Sequence, residues 1–252
     1  MTYCVAMRLS GGLVFASDSR TNAGVDHIST FRKLHVLHQD SERTLVLQSA
    51  GNLATTQSII NLLRNRTEDA ERLNLLNVAS LFDAASLIGE TVREVIHRDS
   101  SAQQKGSSTD FSCSILLGGQ IKGEPPRLFH IYPEGNFIEA TEDTPYFQIG
   151  ESKYGKPIID RVLTFETSLE QGMCCALISI DSTLRSNLSV GLPLDVMIYR
   201  SDSFASNEQY RITEQNPYFA TIRKAWAEGL LDTFLRLPPL QLSEEFPLQH
   251  EQ

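Results

Sequence analysis

The chain has 252 residues, 41% of them hydrophobic and 21% charged, a composition that suits one domain with a substantial core and argues against disorder. Its net charge of -9 speaks against nucleic acid or an anionic membrane as a partner, because both require a basic surface. No apolar run approaches the roughly 20 residues that span a bilayer, and Met1 leads into a strand pattern instead of a basic and then apolar leader, so a cytoplasmic protein is expected.

In chain order, apolar runs over residues 3–9 and 13–17 flank Ser10-Gly11-Gly12 and predict a hairpin. The hairpin returns the chain beside its own start, which sets Asp18, just past the second strand, at the same end of the sheet as Thr2. Strands over residues 31–37, with Lys33 inside, and 43–48 extend the sheet to Ser49-Ala50-Gly51. Helical spacing of apolar residues follows up to Arg66 and again from about 80 to 97, with a polar connection between. Strands are expected over 111–118, ended by Gly118-Gly119, then over 127–132 and 136–140. A strand ending in Gly150 precedes two further helices, about 158–163 and 168–180. Strands at 194–200 and 209–212 come next, then a helix over 218–235 and a tail at about 236–252. Strands, two helices, strands, two helices and strands spell an α+β fold, a four-layer αββα sandwich, without a linker to divide residues 1–252.

The chemistry suggested by this order begins at Thr2. Removal of Met1 before a small side chain would expose a chain starting with threonine, whose hydroxyl and α-amine share one residue. An α-amine titrates near ~7.7–8, so it can take the hydroxyl proton near neutrality. Lys33 would press that amine lower by like-charge repulsion, and Asp18 would hold the lysine. Gly51 lets backbone N–H groups approach a substrate carbonyl as an oxyanion site. Singly, each residue also has a plain structural role as a turn former or strand residue; the combination carries the reading. Cys4, Cys113, Cys174 and Cys175 lack C-x-x-C spacing and suit free thiols. The six histidines include no HExxH pair, so no metal and no cofactor beyond water is expected.

The order strand, Gly-Gly turn, strand ending in Ser17-Asp18-Ser19-Arg20, then Lys33, then Ser49-Ala50-Gly51 and a helix resembles the proteasome β-subunit family of N-terminal-nucleophile hydrolases. Among its branches, residues 1–7, 150–157 and 181–187 are similar to the bacterial proteasome-type proteases called Anbu. The resemblance implies a threonine nucleophile at Thr2, with Asp18, Lys33 and the oxyanion glycine Gly51. It also implies Asp181 and a nearby serine as organising residues. The usual spacing falls on Leu184, leaving Ser182 and Ser186 as alternatives, with Ser186 taken here. Where relatives carry a serine after the glycine, this chain has Glu151, expected either to pair with the Thr2 ammonium or to face solvent.

These residues predict acyl transfer: hydrolysis of amide bonds in a peptide or protein by a threonine-type endopeptidase. A small-amide hydrolase of the same fold and a catalytically silent assembly subunit remain alternatives. The apolar surface over residues 81–96 exceeds one helical stripe and predicts a partner, and the resemblance implies a large homo-oligomer, ring or open spiral.

Overall fold

The computed structural model describes residues 2–22, 28–101 and 109–240. The opening hairpin forms as expected: β1 (Tyr3–Leu9) pairs antiparallel with β2 (Gly12–Asp18), Cys4 opposite Ser17. Gly12 starts the return strand at φ 140°, and a Cβ there would stand 2.1 Å from the Tyr199 carbonyl oxygen, so only glycine fits. A short ribbon follows, β3 (Arg20–Asn22) with β4 (Ile28–Thr30), then β5 (Leu34–Gln39) and β6 (Arg43–Gly51).

After the helices α1 (Leu53–Arg66) and α2 (Leu81–Ser101) come β7 (Cys113–Ile121), β8 (Arg127–Ile131), β9 (Phe137–Glu139) and β10 (Tyr146–Gly150). The chain finishes with α3 (Lys156–Val162), α4 (Leu169–Ser186), β11 (Leu194–Arg200), β12 (Gln209–Ile212) and α5 (Pro217–Leu235). One antiparallel sheet runs β10-β1-β2-β11-β12 and the other β5-β6-β7-β8-β9.

Side chains alternate across these strands, and both faces are buried, which is why the central strands read as nearly unbroken apolar runs. From β1, Cys4 and Ala6 meet the second sheet, whereas Tyr3, Val5 and Met7 pack under α4. From β7, Leu116 joins the inter-sheet core, whereas Ile115 and Leu117 pack against α1 and α2. Three apolar layers thus separate four layers of secondary structure, the αββα sandwich expected. Helix starts are capped as their sequences suggest: Asn52 accepts from the Ala54 and Thr55 N–H groups, Ser168 from Gln171 and Asn216 from Phe219.

Several expectations need correction. Gly118 and Gly119 do not turn the chain. They lie inside β7, because the Phe15 ring occupies the space where a Gly118 Cβ would sit, 2.6 Å away. Lys33 precedes β5 instead of lying within it, and the β3–β4 ribbon is additional. Helix α4 runs on to Ser186, so Asp181 and Ser182 are within it and not beyond its end. Most of the broad apolar surface of α2 is consumed inside the chain, with Phe82 left 51% exposed. Ala85, Ile88, Val92 and Val95 pack into the core shared with α1 and the second sheet, and Phe82 meets Phe137 edge-on at 5.2 Å. Exposed apolar side chains gather instead on α5 and just after it: Leu230, Leu231, Phe234, Leu235 and Leu237.

Candidate active site

Thr2 sits where β1 begins, half-buried and held from two sides. Its carbonyl accepts the Glu151 N–H at 2.7 Å, and Gly150 presses so close that a Cβ there would stand 1.9 Å from the same oxygen. With φ at 83°, Gly150 is in the left-handed region as well, so the position requires glycine on both counts. The next residue is pinned by Asp18, whose Oδ1 accepts the Tyr3 N–H at 3.0 Å. Behind it the Tyr3 hydroxyl, fully buried, meets Ser179 Oγ at 2.5 Å and the Gln148 amide, which ties β1 to α4 and β10.

Asp18 closes β2 with no exposure at all and accepts four hydrogen bonds. Oδ1 takes Lys33 Nζ at 2.7 Å besides Tyr3, and Oδ2 takes the N–H groups of Arg20 and Gly191, each at 3.2 Å. Burial pushes its carboxyl upward, while the Lys33 ammonium and the Tyr3 and Gly191 N–H groups pull it back toward the charged form. Lys33, 4% exposed, also donates to the Arg20 carbonyl at 2.6 Å. A buried ammonium satisfied by a carboxylate and a carbonyl is a fixed charge, not a solvated strand residue.

Gly51 ends β6 at φ 116°, with the Ser112 carbonyl 2.4 Å from where a Cβ would sit. N–H groups alternate across an antiparallel strand. Asn52 N–H bonds to Ser112 beside β7 and Ser49 N–H bonds to Lys33 O on the opposite side, so Gly51 N–H points to the Lys33 side, beyond the start of β5. There a cleft of about 540 Å³ is lined by Thr2, Lys33, Ser49 and Gly51 among others. Thr2, Asp18, Lys33 and Gly51 are therefore brought together.

Asp181 and Ser186 do not join them. Asp181 Oδ2 accepts from Arg185 Nε at 3.0 Å, and Oδ1 lies 2.5 Å from Arg223 Nε of α5 in a geometry too bent for a hydrogen bond. This carboxylate fastens α5 to α4. Ser186 is exposed at the end of α4, and neither residue lines the cleft.

Glu151 takes neither course expected of it. Its carboxylate is buried, accepting from Asn187 Nδ2 at 2.7 Å and pairing with Lys153 at 3.2 Å. Asn187 opens the loop that sequence reasoning passed over. The same loop supplies the Gly191 N–H to Asp18 and the Leu188 carbonyl to Arg20, so Glu151 and Asp18 brace one segment from two ends. Nothing in local sequence marks this loop, because its partners lie 36 residues upstream at Glu151 and 168 and 173 residues away at Arg20 and Asp18. Cys4, the thiol nearest to Thr2 in sequence, is fully buried, and burial pushes it up and out of the range of a nucleophile. Among the described residues no group of three or more His, Cys, Asp or Glu could hold a metal ion, and no helix is long and apolar enough to cross a membrane.

The family profile described as "Proteasome subunit" matches residues 2–198, so the chain belongs to the proteasome subunit family. Its class is that of proteasome-like N-terminal-nucleophile hydrolases. Within the family the likeness is to Anbu. The chain is 73% identical to Anbu (ancestral beta-subunit) from Yersinia bercovieri, over 96% of this chain and 99% of that one, with a TM-score of 0.91. Against the helical assembly of the Anbu complex from Pseudomonas aeruginosa it is 58% identical, covering 97% and 100% of the two chains at a TM-score of 0.92. Among curated relatives, a proteasome subunit beta of Haloquadratum walsbyi is 24% identical over 205 residues, 80% of this chain and 74% of that protein.

Proposed function

We propose that the chain is a threonine endopeptidase that cleaves amide bonds in peptides or proteins through Thr2, once Met1 has been removed. The observation that carries this reading is the buried Asp18–Lys33 pair on the wall of the cleft that Thr2 lines. A fixed cation there favours the neutral amine at Thr2, the form that can accept the hydroxyl proton. The hydroxyl attacks the substrate carbonyl, the amine takes the proton directly or through water, and Gly51 N–H stabilises the oxyanion. The amine returns the proton to the leaving nitrogen, and water then hydrolyses the acyl-enzyme. Lys33 tunes, and Asp18 orients Lys33 and, through the Tyr3 N–H, Thr2. The Asp181 carboxylate and Ser186 lie outside this chemistry.

The same reading includes self-assembly into a large homo-oligomer. The helical assembly of the Pseudomonas aeruginosa relative and the apolar residues exposed on α5 support it. A cytoplasmic setting suits the four free cysteines. Turnover of fluorogenic peptides and of small amides by purified protein, each beside Thr2→Ala, tests the activity. Peptide cleavage lost in Thr2→Ala is expected. Cleavage of small amides alone would contradict the endopeptidase reading, and equal rates in the two proteins would contradict Thr2.

A further inference from the structure

The cleft beside Thr2 has an unusual charge balance for a chain of net charge -9. Arg32, Lys33 and Arg64 line it, and among the described residues no Asp or Glu does. The Lys33 charge is matched by Asp18 beneath the surface, but those of the two arginines are not matched among the described residues. Among the described residues the Arg64 side chain meets only the His35 ring, Nη2 to Nδ1 at 3.4 Å. Burial and the two neighbouring guanidiniums push that histidine down to about 4, so it is neutral at pH 7 and compensates nothing. Asp195, which feels Arg32 from outside the cleft, forms its ion pair with Arg211 at 3.3 Å.

One face of α1 forms a wall of this cleft: Leu53, Thr56 and Gln57, Ile60 and Asn61, and Arg64 recur at helical spacing. The first turn of α1 holds no acidic residue, so nothing there opposes the positive end of the helix. Across from it, Arg32 sits next to Lys33 in the chain. A guanidinium without a carboxylate partner is a ready donor of paired hydrogen bonds to a carboxylate brought by a ligand.

We propose that this cleft takes an acidic side chain, so that the substrate class is a peptide carrying Glu or Asp next to the scissile amide. The inference rests on the endopeptidase reading for the cleavage step, whereas the charge preference stands on the cleft alone. An overall acidic chain repels such a peptide at long range, so recognition is local, with Arg32 and Arg64 as its determinants. Each charged hydrogen bond to the carboxylate gives roughly tenfold to a hundredfold in affinity.

The test measures binding apart from turnover. Fluorescent peptides identical except for Glu, Leu or Lys at one position are titrated by anisotropy into assembled Thr2→Ala protein, at low and high salt. The Glu peptide is expected to bind at least about tenfold more tightly than the Lys peptide, with the gap narrowing in salt. Arg64→Glu, at an exposed position that should not disturb folding, and Arg32→Glu should each abolish or reverse that order. Equal binding of the three peptides, binding of none, or an order unchanged by both variants overturns the proposal. Glu preference without hydrolysis by the unmutated protein refutes the endopeptidase reading alone; hydrolysis without charge preference refutes this inference alone.

Discussion

Replacing Asp18 by alanine removes the acceptor of four hydrogen bonds and leaves the Lys33 ammonium, 4% exposed, with only the Arg20 carbonyl. Breaking a buried pair from one side costs about 3–5 kcal/mol, which for a chain of this size lowers Tm by roughly 6–20 °C. The cost comes from a stranded charge, so it should be relieved by removing that charge. Asp18→Ala with Lys33→Met should regain much of the loss, whereas Lys33→Met alone strands the carboxylate and destabilises by a similar amount. Thermal unfolding followed by circular dichroism on the four proteins completes the cycle. A single variant within about 1 kcal/mol of the parent, or a double variant no more stable than Asp18→Ala, would refute a tight buried pair. None of the three variants should cleave peptides, because stability returns in the double variant while the cation beside Thr2 does not.

Gly150→Ala drives a Cβ onto the Thr2 carbonyl, so covalent labelling at Thr2 should fall by about 10² or more, read against a circular dichroism spectrum that stays folded. Gly51→Ala should likewise slow turnover more than it weakens substrate binding, since its N–H serves the oxyanion; a change in KM alone would speak against that role. On the pH-rate profile, the Thr2 α-amine must be neutral to take the hydroxyl proton, so activity should fall on acidification through the range of an α-amine, about 7–8, before Asp18 is protonated. An acid limb at ordinary aspartate values would contradict this. Lys33→Arg should not restore the rate, because a guanidinium does not fit the ammonium's site between Asp18 and the Arg20 carbonyl. On α5, Leu231→Glu with Phe234→Glu, both side chains being largely exposed in the single chain, should lower the mass seen by light scattering; an unchanged assembly would place the contact elsewhere.

The hairpin was legible because its signals are local, apolar runs around Gly11-Gly12, and the same runs placed Asp18 at the end of the sheet where Thr2 lies. The helices were legible from their spacing, although the length of α4 was not, since the apolar spacing stops at Ile180 while the helix runs on to Ser186. Tertiary contacts misled where one residue has two possible uses. Gly118 reads as a turn, yet it makes room for Phe15. The α2 surface reads as an interface, yet α1 and the second sheet cover most of it. Asp181 reads as part of the site, yet it is spent on Arg185 and Arg223. Least legible were the interactions of the loop from Asn187 to Gly191 with Glu151 and Asp18, which depend on segments distant in sequence and carry no motif.

The central claim is that Thr2 is a nucleophile whose hydroxyl and α-amine act together. Intact-mass and peptide mapping after incubation with an epoxyketone, which must react with both groups to close a ring, tests it most directly. The account predicts loss of Met1, a single adduct on the peptide that begins with Thr2, and no adduct in Thr2→Ala. An unlabelled chain beginning with Thr2, or an adduct that persists in Thr2→Ala, would contradict it.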